Sequence, residues 1–530
     1  KPTDISDPEY FHKVVDCQWA CPAHTPVPEY IRLIAEKRYT EAYMVNWHSN
    51  VFPGILGRTC DRPCEPACRR VRVEEKPVAI CRLKRVAADY KADISDLLPA
   101  IPKQKNGRHI ALIGAGPASL TVARDLLPLG YKVSLFERDA VSGGAMRTQI
   151  PRFRLPVEVL EEELHYILDM GIKRRFGEEI TSMKAMLKED FDAVFVGTGA
   201  PLGKGLDLPG REEAADNIHI GIEWLASVAF EHVSSVGKNV IVLGGGNTAM
   251  DCCRTSKRLG GEDVKVVVRS GFDEMKASAW EIEDAINEDI VILNFHVPKR
   301  YVIEDGKLVA MEFEKVRKEY DENGRRLLIP AGEDPIIIPC DDVLCAIGQE
   351  NSFPWIEKDI GIEFDKWNLP VLNKATFQST HKKVFFGGDS AMGPDNIITA
   401  VAHGHDAALS IHLLCEDQSL THRPAPLTTL DSQKMGIHQW SYENDISNEL
   451  RFAVPHAKKE LTLNDINMEV ELGFDEQMAF DETMRCLNCD VQTVFTDKLC
   501  IECDACVDIC PTDCISFIEN QEEPKLRQEL

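Results

Sequence analysis

Eighteen cysteines are spread unevenly along this 530-residue chain. Six fall between Cys17 and Cys81 and seven between Cys486 and Cys514, with Cys252, Cys253, Cys340, Cys345 and Cys415 elsewhere. Cys60, Cys64 and Cys68 recur at every fourth position, a spacing that Cys17 and Cys21 share. On a helix this would stack the thiols on one face, but Arg62-Pro63 and Pro66 favour a loop, which can wrap a bound group. Near the other end Cys500, Cys503, Cys506 and Cys510 follow the pattern C-x2-C-x2-C-x3-C-P, that of a four-iron cubane site. Thiolates at such spacing bind iron–sulfur clusters or zinc. The start of the chain, KPTDISDPEYFHKVVD, has no basic stretch followed by an apolar one, so a cytoplasmic location is expected. There, grouped cysteines are metal ligands rather than disulfides.

Two glycine-rich turns lie between the cysteine groups. RHIALIGAG (108–116) is a buried strand running into Gly114 and Gly116, with Pro117 and Ala118 opening a helix. The first glycine permits the tight turn, the second lets a pyrophosphate approach, and the helix N-terminus offers amide donors. Ser119 takes the third glycine position. Glu137 ends the next strand, 23 residues after Gly114, where an acid accepts bonds from a ribose diol. Gly388-Asp389 ends a later strand. A carboxylate there can bind the ribityl hydroxyls that distinguish FAD, unless Asp389 caps the helix near Asn396.

KNVIVLGGGNTA (238–249) repeats the pattern with Gly244, Gly246, Asn247 and Thr248. Its following strand ends in Arg269, which cannot accept a ribose hydroxyl bond but can pair with a 2′-phosphate. Arg254 and Lys276 add candidate positive charge. The reading is NADP(H) in preference to NAD(H).

The elements that must position these residues predict a multidomain α/β protein. Residues 1–100 read as a helical iron–sulfur domain. Residues 108–235 and 345–415 read as an FAD-binding Rossmann-like domain, with an NAD(P)-binding Rossmann-like domain (236–344) inserted in it. Residues 416–484 read as a connector and 485–530 as a ferredoxin-like α+β module. The net charge of −26 argues against nucleic acid as a partner, and no apolar run reaches the ~18 residues of a membrane span.

Taken together, the segments NVFPGILGRTCDRPCEPACRR (50–70), GAGPAS (114–119), GGAMRTQIPRFRLP (143–156), GGGNTAMDCCRTSKRLG (244–260), VVVRSGFDEMKAS (266–278) and GGDSAMGPDNIITAVAHGHDAA (387–408) resemble the flavoprotein family of the glutamate synthase small subunit. The same module is found in the flavin half of dihydropyrimidine dehydrogenase. The resemblance implies that Glu137 and Asp389 hold FAD, together with Gly144, Arg147, Leu155, Gly388, Asn396 and Ile397. It also implies that Asn247, Thr248, Arg269 and Lys276 face the nicotinamide nucleotide, with Gly348 near its ring. Ser270 departs from the second basic residue often found in members that use NADPH.

In that family an R-C-L-x-C pair precedes the other N-terminal ligands. Here the pair stands near the C-terminus, as Arg485-Cys486-Leu487-Asn488-Cys489. The resemblance therefore implies that Cys486 and Cys489 fold back to complete one cluster with Cys17 and Cys68. A second would use Cys21, Cys60, Cys64 and Cys81, the last where a relative has glutamine. With the C-terminal run, whose fourth ligand is Cys510 or Cys514, about three four-iron clusters are expected.

This inventory describes electron transfer between NAD(P)H and iron–sulfur clusters through FAD, in either direction. It needs no side-chain acid or base, so His403 and His405 read as structural. The expected partner is another redox subunit, such as a ferredoxin-linked oxidoreductase or a glutamate synthase-like large subunit, or a soluble ferredoxin. A glutamate synthase small subunit proper and a non-catalytic wiring subunit are the alternatives.

Overall fold

The computed structural model describes residues 15–322, 324–423 and 447–490, with 501 and 503; Cys500, Cys506, Cys510 and Cys514 lie outside them. Helices α1 (Asp16–Ala20), α2 (Val27–Ala35), α3 (Tyr39–Asn50), α4 (Pro53–Thr59) and α5 (Ile80–Asp89) carry the N-terminal cysteines. Pro28 and Pro53 sit in the first turns of α2 and α4, where no backbone donor is lost. Val27, Tyr30, Ile31 and Ile34 line one face of α2 and pack with Tyr43, Trp47, Leu83 and Val86. After Cys60 ends α4, the prolines keep the chain out of helix, and Cys64 and Cys68 lie in a loop as expected.

A five-stranded parallel sheet follows. It uses β1 (His109–Ile113), β2 (Lys132–Glu137), β3 (Lys173–Phe176), β4 (Ala193–Val196) and a last strand, Val384–Phe386, from far along the chain. Helices α6 (Pro117–Leu126) and α7 (Val157–Leu168) belong to this domain. Glu163 of α7 joins it to the cysteine domain: its buried carboxylate accepts bonds from Gly54 N–H (2.6 Å), Ile55 N–H (2.9 Å) and the Tyr43 hydroxyl (2.8 Å).

The second parallel sheet has β5 (Ile218–Ile220), β6 (Asn239–Leu243), β7 (Asp263–Val268), β8 (Val291–Asn294) and, further along, Asp342–Cys345, in which the last strand lies between β5 and β6. Helices α8 (Gly221–Ala229), α9 (Asn247–Arg258) and α10 (Ala279–Asn287) accompany it. Antiparallel strands between 296 and 339 form a separate four-stranded sheet: β9 (His296–Glu304), β10 (Lys307–Tyr320), β11 (Arg326–Pro330) and β12 (Ile336–Pro339). The insertion therefore begins earlier than the expected 236. Ile218 pairs in register with Val343, so the edge strand and α8 belong to the nicotinamide side. The late strands of the two parallel sheets are β13 (Asp342–Cys345) and β14 (Val384–Phe386), after which the long helix α11 (Ile397–Cys415) packs back on α6.

Residues 447–490 return to the N-terminal helices. Their helix α12 (Glu476–Thr483), capped by Asp475 on Met478 N–H (2.8 Å), packs on α2 and α5. Cys486 and Cys489 thereby join the N-terminal domain rather than the expected 485–530 module. Among the described residues no helix is long and apolar enough to cross a membrane.

Candidate functional site

Three glycine segments distant in sequence meet at the N-terminus of α6. Gly114 is left-handed (φ +91°), and a Cβ there would fall 2.5 Å from Gly197 O, so glycine is required. A Cβ on Gly144 would lie 3.1 Å from Gly116 Cα, and one on Gly388 3.3 Å from Ala118 Cβ. A Cβ on Gly116 would point into open space, its nearest neighbour being Gly197 O at 3.9 Å. Pro117 opens α6, leaving the following amides of its first turn to an anion.

Around this cradle stand a buried acid, Glu137, and a half-buried one, Asp389. Glu137 accepts bonds from Ala115 N–H (2.7 Å) and Asp139 N–H (3.1 Å), and burial pushes its carboxyl up. Burial pushes Asp389 up to about 7. Its one hydrogen bond through the carboxylate among the described residues comes from Asp395 N–H, at 3.1 Å. The capping role open to Asp389 is filled by Asn396, whose side chain accepts from Thr399 N–H (3.0 Å) as α11 begins at Ile397. Arg147 is held within its own loop, bonding Ser142 O and pairing with Glu161 (2.7 Å), and Leu155 is a core residue. Thr198, which the sequence reading did not single out, has a buried hydroxyl without a partner among the described residues and a Cα 3.1 Å from where a Gly114 Cβ would sit. The glycines of FDAVFVGTGA were the only signal for it. An open cradle, an orphaned hydroxyl and an under-bonded carboxyl fit the pyrophosphate and polyol of a flavin dinucleotide.

At the second loop Gly244 (φ +136°) comes so close to Ala346 O that a Cβ would lie 2.1 Å from it, while a Cβ on Gly246 would meet no atom within 4 Å. Gly245 sits against Val268 and Met275, and its carbonyl accepts from Ala277 N–H (2.9 Å). Arg269 and Lys276, each adjacent to one of these contacts, are exposed with no ion pair among the described residues. Thr248 is half-buried in the first turn of α9, and Gly348 (φ +126°) accepts from Lys204 N–H (2.9 Å).

Arg254 is a correction. It is 1% exposed and bound to Glu281 (3.3 Å), Asp284 (3.0 Å) and Glu288 (2.9 Å). Seven residues beyond Asn247, it lies about two turns down α9 on the buried face. Its charge is spent on α10 and does not face a nucleotide.

Asn247 shows a contact invisible in the sequence. Its Nδ2 donates to Asp61 Oδ1 (3.2 Å) and its Oδ1 accepts from Ser278 N–H (2.8 Å). The Arg62 guanidinium lies 3.9 Å from the Trp280 ring centroid. The loop following Cys60 is thus docked on the nicotinamide loop.

The described N-terminal and returning cysteines fall into two places. Cys17, Cys68, Cys486 and Cys489 line one small cavity with Asp16 and Arg69. Burial pushes the Cys486 thiol up to about 12, and the Cys17 thiol is raised by burial and by its sulfur neighbours. The neighbouring Cys60 and Cys81 thiols act on each other, raising the first and lowering the second. Cys21, Cys60 and Cys81 pack with the flavin-side core, whereas Cys64 and Cys486 pack with the helical core. Among the described residues no three His, Cys, Asp or Glu side chains are arranged to hold a single metal ion; a cubane spreads its thiolates more widely. Cys503 is exposed.

Buried charge secures the returning segment. Arg32 is bidentate to Asp490 (2.6 and 2.7 Å), and Arg485, fully buried, pairs with Glu74 and Glu482. Glu482 also accepts from Ala79 N–H (2.7 Å). His405 fits the structural role expected of it, bonding Asp125 of α6 and Ser49 O (2.8 Å). His403 lies tilted against Phe377, with ring centroids 4.3 Å apart.

With this geometry in place, comparison with known proteins is specific. Residues 108–404 match the family model for pyridine nucleotide-disulphide oxidoreductase, residues 12–95 that for dihydropyrimidine dehydrogenase domain II, 4Fe-4S cluster, and residues 493–516 that for a 4Fe-4S binding domain. The chain is 33% identical to NADP(+)-dependent formate dehydrogenase subunit beta of Moorella thermoacetica over 89% of its own length and 70% of that protein's. It is 32% identical to the glutamate synthase [NADPH] small chain of Escherichia coli over 74% of its length and 87% of that chain. Mycobacterium tuberculosis FprA in complex with NADPH shares the fold over 58% of this chain and 85% of its own, at 16% identity and a TM-score of 0.50.

Proposed function

We infer that this chain, which belongs to the pyridine nucleotide-disulphide oxidoreductase family, carries electrons between NADPH and a partner redox protein through FAD and a series of iron–sulfur clusters. The observation that carries this reading is the return of Cys486 and Cys489 to the cavity of Cys17 and Cys68. It supports an outer cluster on those four thiols and an inner one on Cys21, Cys60, Cys64 and Cys81, between it and the flavin-side core. The C-terminal run Cys500, Cys503, Cys506 with Cys510 or Cys514 would hold a third, toward the partner.

Bound FAD supplies the exchange between two-electron hydride chemistry and one-electron cluster chemistry. The chain's own residues bind and orient. Gly116 and the α6 amides receive the pyrophosphate, Glu137 the ribose and Asp389 the ribityl hydroxyls. On the nicotinamide side the α9 amides receive the second pyrophosphate, while Arg269 and Lys276 pair with a 2′-phosphate, which favours NADPH. Identity to the formate dehydrogenase subunit reaches further along the chain than identity to the glutamate synthase chain. This supports a redox subunit of a larger complex with a ferredoxin-type outlet.

The test is the Cys486→Ser variant of the full, cofactor-loaded protein. It should lose about four irons per chain and one reduced-cluster resonance, while NADPH still reduces a dye that takes electrons from the flavin. Unchanged iron content would defeat the outer-cluster reading, and failure of the unsubstituted protein to reduce dye with NADPH would defeat the whole.

A further inference from the structure

Lys84 is a buried cation that pairs with no carboxylate among the described residues. It is 4% exposed, on α5, one turn beyond Cys81. Residues three apart on a helix share a face, so its ammonium and the Cys81 thiol project toward the same space. That space is bounded by α4, against which α5 packs. Cys81 Sγ bonds Leu56 O (3.0 Å) and lies 3.8 Å from Gly57 O there. Within electrostatic reach of the ammonium are the thiols of Cys60, Cys81, Cys21 and Cys64, the four that form the inner set.

Two neighbouring cations are accounted for otherwise: Arg82 is paired with Glu471, and Arg85 with Asp89 (2.9 Å) and Glu469 (2.9 Å). Arg62 lies on Trp280 with its buried Nε and Nη2 unpartnered among the described residues, and adds a second, more distant positive charge on the side of Cys60. Lys84 makes no hydrogen bond through its side chain, ion pair or ring contact among the described residues. A buried ammonium in that state is tolerated only where the site itself carries negative charge. Four thiolates on a cubane supply such charge, and uptake of one electron makes it more negative by one unit.

We propose that Lys84 sets the reduction potential of the inner cluster, its fixed positive charge stabilising the reduced form and drawing electrons from the flavin side onto that cluster. This rests on the assignment of Cys21, Cys60, Cys64 and Cys81 to one cluster. The Coulomb energy of an added charge beside a buried cation is large because the local dielectric is low. The geometry also separates Lys84 from the residues that merely hold α5 in place, since Arg82 and Arg85 already tie the helix to Glu471 and Glu469.

The experiment compares Lys84→Met and Lys84→Arg in the full-length holoprotein. Iron, sulfide and flavin per chain are measured, followed by a potential titration monitored through the resonances of the reduced clusters. Lys84→Met should keep full iron and flavin. One cluster should become harder to reduce by at least tenfold in its equilibrium constant, 59 mV for one electron, with the others unmoved. Lys84→Arg, which keeps the charge, should stay close to the unsubstituted protein. Unmoved midpoints in iron-replete Lys84→Met overturn the proposal. So does an equal shift in Lys84→Arg, which would point to packing, or loss of about four irons in Lys84→Met, which would make Lys84 a structural support. The underlying assignment is tested apart, by Cys60→Ser: if that variant keeps all its iron, the inner quartet itself is wrong whatever Lys84 does.

Discussion

At the end of β7, Arg269 stands exposed beside the second glycine loop with its guanidinium uncommitted among the described residues. A hydrogen bond to a charged group is worth ~1.5–3 kcal/mol, and each 1.4 kcal/mol is a factor of ten. Arg269→Ala is therefore expected to raise KM for NADPH by about ten- to hundredfold while leaving NADH turnover nearly unchanged. Steady-state kinetics with both nucleotides decides it, and an equal loss for both would remove the 2′-phosphate role. Arg254 invited the same argument from sequence. Its different fate depends on which face of α9 meets α10, which a motif spacing does not record. Asp61 is a similar case: nothing in Cys60-Asp61-Arg62 announces a bond to Asn247, 186 residues on.

Among the elements, those whose chemistry is local along the chain could be read directly. Each glycine loop lies between a strand and a helix within about a dozen residues, so the two nucleotide sites were visible, as was Glu137. The edge strand Ile218–Ile220 was not, because three residues without a glycine turn carry little pattern. The return of residues 447–490 was legible only through the displaced R-C-L-x-C pair. What holds that return is a set of buried ion pairs which sequence leaves anonymous. Removing one partner of such a pair costs about 3–5 kcal/mol, because the other is left buried and charged. Arg485→Ala should therefore lower the denaturant midpoint of unfolding and release iron along with the segment. A variant equal to the unsubstituted protein in both would show that Glu74 and Glu482 do not depend on it.

Across the whole molecule, the flavin side and the cysteine helices are joined by polar contacts. Asp125 of α6 binds His405 of α11, which in turn reaches Ser49 O in α3. Burial alone would lower the His405 imidazole, but the Asp125 charge and hydrogen bond raise it above its ordinary value, and Asp125 is held down at about 2. A raised histidine contributes stability that is complete below its unfolded value, about 6.5, and is lost as pH rises through the folded one. The advantage in Tm of the native protein over His405→Gln should thus be greatest at pH 6 and shrink toward pH 9. A difference constant across that range would exclude the ion pair as its source.

The pairing of Cys17 and Cys68 with Cys486 and Cys489 also bears on how the protein is made. A ribosome synthesises the first pair hundreds of residues before the second, while N-terminal domains fold first. The early helices must therefore mature with half of that cavity's thiols missing, and the cavity can close only once Cys486 and Cys489 have been made. A chain ended between α11 and Cys486 would keep every strand of both parallel sheets yet lack half of the thiols that line this cavity.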